Sequence, residues 1–96
     1  MIIGQNENIK LRLFYQENGV GISGLTDIRI KILNESGNVI VNAFMVAGSE
    51  VGEYVYNWFT NGYAGIFTVL YLKNLDILDV EVIEVQAIGF QDGAAF

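Results

Sequence analysis

Ile28, Ile30 and Ile32 alternate with Asp27, Arg29 and Lys31. A period of two puts all three isoleucines on one face of an extended chain, whereas a helix would scatter them around its circumference. The same alternation sets Ile9, Leu11, Leu13 and Tyr15 against Lys10, Arg12 and Phe14. Residues 39–46 return as a strand. Val39, Val41 and Ala43 share one face there, while Ile40, Phe44 and Val46 come from the other parity or from beyond a bulge. Residues 53–60 carry Tyr54, Tyr56 and Trp58 on one face. Residues 66–73 are almost continuously apolar, and residues 77–85 form the last long strand. The turn clusters between them are Glu17-Asn-Gly-Val-Gly21, Asn34-Glu-Ser-Gly-Asn38, Gly48-Ser-Glu-Val-Gly52, Asn61-Gly62 and Lys73-Asn-Leu-Asp76. Gly37 and Asn38 both tolerate the positive φ that a tight hairpin requires. About seven extended segments, with turn signals roughly every 8–12 residues, predict an all-β sandwich or barrel. No window carries a helical period, and no internal repeat occurs.

A length of 96 residues allows one domain. The chain has no Cys, so disulfides, thiolate chemistry and Cys-based metal sites are excluded. It has no His, which removes the commonest general base and the commonest transition-metal ligand. A net charge of -6 argues against nucleic acid, whose phosphates are gripped by Lys and Arg. The N-terminus lacks a basic region followed by an apolar stretch of secretory length, and no apolar run approaches the roughly 18 residues of a membrane helix. The expectation is a chain made in the cytoplasm with no membrane partner. Hydrophobic residues are 52% and charged residues 17%. That surplus fits a Val- and Ile-rich β domain or a surface partly covered by a partner.

Enzyme readings fail on inventory. Ser23, Ser36 and Ser49 have no His to activate them, and no Ser-x-x-Lys spacing exists. Gly19-Val-Gly-Ile-Ser-Gly24 spells the dinucleotide glycine pattern, but a strand-like segment follows where that motif needs a helix. Asp76, Asp79, Glu81 and Glu84 raise a calcium hypothesis. Asp79 and Glu81 share parity while Glu84 does not, so a solvated strand face is the better reading. No cofactor and no metal are expected.

Two features remain as candidate sites. The stripe Tyr54, Tyr56 and Trp58 reads as sandwich core, with a sugar-stacking platform or a subunit interface as alternatives. The chain ends carry apolar residues beyond the strands: Ile2 and Ile3 in an N-terminal arm (1–8), and Ile88, Phe90 and Phe96 in a C-terminal tail (86–96). They either close the domain's own core or dock on a neighbouring subunit.

Three stretches follow one another in a particular order. The first is Ile28-Arg-Ile-Lys-Ile-Leu-Asn-Glu-Ser-Gly-Asn-Val-Ile40. Gly52-Glu-Tyr-Val-Tyr-Asn-Trp58 comes next, then Gly62-Tyr-Ala-Gly-Ile-Phe-Thr-Val69. This order resembles the immunoglobulin-like sandwiches of bacterial surface modules and bacteriophage virion proteins. It covers about residues 9–85 and lacks the Cys pair of antibody-type domains. The resemblance implies a single immunoglobulin-like antiparallel β-sandwich. With no export signal, it further implies a non-enzymatic virion structural protein assembled in the host cytoplasm. A capsid decoration or cement protein that binds adjacent capsid subunits and oligomerises on the particle fits best. A tail or head-fibre adaptor, or a carbohydrate- or surface-binding module using Tyr54, Tyr56 and Trp58, is the alternative.

Overall fold

Alternation becomes sheet throughout the computed structural model, which describes residues 2–86. Ten strands form in chain order: β1 (Ile2–Gly4), β2 (Asn8–Phe14), β3 (Gln16–Glu17), β4 (Val20–Gly21), β5 (Ile28–Leu33), β6 (Val39–Phe44), β7 (Val46–Ala47), β8 (Glu53–Phe59), β9 (Gly65–Lys73) and β10 (Asp76–Gln86). Among the described residues there is no helix. A five-stranded sheet has the order β1-β10-β9-β5-β6, a three-stranded sheet has the order β2-β8-β7, and β3 and β4 pair as a small ribbon.

The two larger sheets share one core. Ile28, Ile30 and Ile32 are fully buried, and with Phe67, Val69, Tyr71, Ile83 and Val85 they face Leu11, Leu13, Tyr54 and Trp58 of the other sheet. Burying each isoleucine contributes about 1.5–3 kcal/mol. The predicted face of the second strand holds as well: Leu11 and Leu13 are buried, while Lys10, Arg12 and Phe14 are exposed. Residues 39–46 divide in two. Met45 is buried and lies between β6 in one sheet and β7 in the other, so this segment crosses from sheet to sheet. A bulge at Ile40 shifts the register between Ile32↔Val41 and Leu33↔Val39, which leaves Val41 and Ala43 facing inward beside Ile32 and Ile30.

Three expectations change. The sheets are not purely antiparallel, because β1 runs parallel to β10 with Ile2 opposite Glu84. The extra short strands come from segments too brief to show a period. The cluster at 17–21 is itself a hairpin, β3 and β4, turned by Asn18 (φ 53) and Gly19 (φ 78), the two consecutive positive angles of a type I′ turn. In the 34–38 turn only Gly37 has a positive φ, and Asn38 does not. That turn is closed by the Asn34 side chain, whose Oδ1 accepts from the amides of Ser36 (3.0 Å) and Asn38 (2.9 Å).

The expected N-terminal arm is, over Ile2–Gly4, a strand of the domain's own sheet. Ile3 packs against the core and Ile2 faces out. Thr60 anchors the exit of this strand. Its hydroxyl lies 2.9 Å from the Gly4 carbonyl oxygen and accepts from the Glu7 amide at 3.0 Å.

Candidate interaction surface

The parity that buries one face of the five-stranded sheet turns the other outward. Cross-strand register fixes which residues share that outer face. Ile77, Leu72, Arg29 and Phe44 form one row across β10, β9, β5 and β6. Val80, Leu70, Lys31 and Asn42 form the next, and Glu84 stands beside Ile66 further along. Ile77, Val80, Ile66 and Phe44 are all substantially exposed, and Ile2 joins them from β1. A solvated sheet face ordinarily alternates apolar-in with polar-out. Here β9 and β10 put apolar side chains on both faces. Scattered exposed leucines are normal on a protein surface, but a contiguous apolar face marks an interaction site.

One end of this face deepens into a groove of ≈ 410 Å³ lined by Thr26, Asp27, Arg29, Phe44, Asn74 and Leu75. The Arg29 guanidinium lies over the Phe44 ring, 5.4 Å from its centroid, and donates to Asn42 Oδ1. Asp27 Oδ2 lies 3.4 Å from Lys73 Nζ. Asp27 Oδ1 and Arg29 Nε are buried and have no hydrogen-bond partner among the described residues. Leu75, at the tip of the β9–β10 hairpin, is 88% exposed.

The aromatic stripe is core and cannot serve as a sugar platform. β8 is the central strand of the smaller sheet, and its even-numbered residues point toward the larger one. Tyr54 and Trp58 are buried, and Tyr56 is half-buried against the same core. Trp58 meets Phe67 edge to face at 5.4 Å. The Tyr54 hydroxyl donates to the Ile22 carbonyl (2.8 Å) and accepts from the Leu25 amide (3.1 Å), so it fastens the loop before β5. Glu53 has the opposite parity to the stripe and is nonetheless 5% exposed. Its Oε1 accepts from the amides of Ser49 (2.9 Å) and Glu50 (3.3 Å), and its Oε2 lies 3.5 Å from Arg12 Nε.

Of the terminal interface candidates, Ile2 is on the outer face, Ile3 is in the core, and Ile88, Phe90 and Phe96 lie outside the described residues. The four acids of β10 do not converge. Glu81 accepts from the Tyr71 hydroxyl at 3.0 Å, and Glu84 projects to the opposite face. That hydrogen bond, together with burial, which is the larger cause, pushes the Tyr71 phenol well above its ordinary pKa. Ser23 Oγ accepts from the Gly52 amide at 2.8 Å and is occupied as a loop tie. Lys10 and Arg12 guard an edge, since among the described residues β2 pairs with β8 alone. Arg29 and Lys31 do not, because β5 lies between β9 and β6.

The outer face was not singled out from sequence, although a signal was present. Residues 66–73 are apolar at both parities, a pattern expected of a strand buried on both sides. The chain matches no protein-family model, no curated protein and no solved structure.

Proposed function

We propose that this chain is a non-enzymatic structural protein that works by docking through the outer face of its five-stranded sheet. The carrying observation is the run of exposed apolar side chains at Ile66, Ile77 and Val80, with Phe44 and Ile2 at the margins. Keeping such a face in water is unfavourable by the same surface energetics that stabilise the core, so covering it drives assembly.

The strand order supports an immunoglobulin-like reading of the sandwich. β6-β5-β9-β10 follows the C′-C-F-G order of such domains, and β2-β8-β7 follows B-E-D. The N-terminal strand departs from the constant-type arrangement by joining the G-like strand. Within that class the proposed role is a bacteriophage virion protein, most specifically a decoration protein seated on adjacent capsid subunits. A tail or head-fibre adaptor is the second form of the same reading. Fold alone does not select between them; the docking face is common to both.

The test is co-expression of the chain with the open reading frames that flank its own gene, followed by isolation of assembled particles on a gradient. The chain is expected to co-sediment with particles, and Val80→Asp is expected to stay at the top while keeping its melting temperature. Co-sedimentation undiminished by Val80→Asp would contradict the assignment of the face.

A further inference from the structure

The outer face carries one cation and one anion whose positions match in reverse. Arg29 stands near one end of β5, and Lys31 stands past its middle. Glu35 stands just past the other end, held at the start of β9 by accepting from the Ile66 amide at 3.0 Å. Among the described residues none of the three has an ion-pair partner. The face has the size of a small interface. Its strands, of 3, 11, 9, 6 and 6 residues, cover about 550 Å² at about 4.8 Å by 3.3 Å per residue. That is near the roughly 600 Å² per partner at the low end of standard interfaces.

We propose that a second copy of this chain covers the face, in a two-fold pair whose axis lies in the interface and crosses the strands. This rests on reading the face as the working surface. The rotation keeps β5 over β5 and reverses its direction. Arg29 of each copy then meets Glu35 of the other, Ile66 meets Leu72, Val80 meets Val82, and Glu84 lies over Ile77. A two-fold interface must be self-complementary in this way, with residue i on j and j on i. A rotation about an axis along the strands would instead set Arg29 over the apolar Ile77 row and leave it unpaired. Two inner faces packed in the ordinary aligned manner make a sandwich; here two outer faces do the same between copies.

The test is a charge-swap mixing experiment read by native mass spectrometry and analytical ultracentrifugation. Wild type is expected to be dimeric. Arg29→Glu alone sets two acids against each other at both contacts, and Glu35→Arg alone sets two bases against each other, so each is expected to be monomeric. Mixing these two variants restores an acid opposite a base at both contacts, with the sense of each pair set by which copy carries which substitution. A heterodimer is therefore expected to form and to weaken as salt rises. Val80→Asp, which touches neither charge, is expected to be a folded monomer and guards against a charge variant that fails to fold. A wild type that remains monomeric at the highest accessible concentration overturns the proposal, even if Val80→Asp still loses particle binding; in that case docking on another protein stands. A wild-type dimer whose two charge variants stay monomeric when mixed overturns the proposed axis.

Discussion

Thr60 and Gly4 are 56 residues apart in the chain and joined at 2.9 Å, the Thr60 hydroxyl against the Gly4 carbonyl oxygen. The same hydroxyl accepts from the Glu7 amide, and the Thr60 amide donates to the Glu7 carbonyl. One fully buried side chain therefore fastens the end of β1, in the larger sheet, to the start of β2 in the smaller. Thr60→Val keeps the shape and deletes the hydroxyl, leaving the Glu7 amide without its acceptor. The expected loss is about 1–3 kcal/mol, measured by urea denaturation. Thr60→Ser, which keeps the oxygen, is expected to lose less.

Glu53 holds the 48–52 turn through the amides of Ser49 and Glu50, and a Cβ at Gly48 would overlap its carboxylate. Glu53→Ala is expected to cost about 1–3 kcal/mol by leaving those amides unsatisfied. Gly48→Ala is expected to be damaging in the wild type and much milder in the Glu53→Ala background, because the clash partner is gone. Additive costs in a double-mutant cycle would contradict the contact.

Trp58 separates core from binding platform. Trp58→Ala removes a side chain packed against Phe67 and Tyr63 and is expected to cost about 3–5 kcal/mol. Trp58→Phe is expected to stay folded, because among the described residues the indole Nε1 has no hydrogen-bond partner to lose. A Trp58→Ala protein as stable as wild type would reopen the platform reading.

Alkaline pH probes Tyr71. Burial first, and then the hydrogen bond to Glu81, raise its pKa in the folded state. The unfolded chain releases this proton from about pH 10 upward while the native state keeps it. The contribution to stability is therefore complete below about pH 10 and declines as pH rises toward the native value. Wild type is expected to lose more denaturation free energy than Tyr71→Phe between about pH 9 and about pH 11. Equal losses would mean that Tyr71 titrates normally.

The strands were legible because alternation is local. Ile28, Ile30 and Ile32 announce their face within six residues, and the turn glycines bound it. The inward direction of the Tyr54–Trp58 stripe was legible for the same reason. What was not legible depends on pairing partners. Nothing local to Ile2–Gly4 says that it will run parallel to residues 84–86. Glu53 reads as an outward residue until the amides it caps are in place. The outer face was hidden because an apolar residue such as Val80 looks the same in sequence whether a second layer covers it or not. Only the register of β10 on β9 shows that, among the described residues, no layer of the domain lies over it.

The chain has no cysteine, so a single introduced thiol reports on one place alone. The most direct measurement is the alkylation rate of Val80→Cys, on the outer face of the larger sheet, against Asn57→Cys, exposed on the smaller sheet, followed as protein concentration rises. The thiol at 80 is expected to become protected with increasing concentration while the thiol at 57 reacts at a constant rate. A thiol at 80 that stays fully reactive at every concentration, or one at 57 that is protected in its place, would contradict the claim that the outer face of the five-stranded sheet is where this protein assembles.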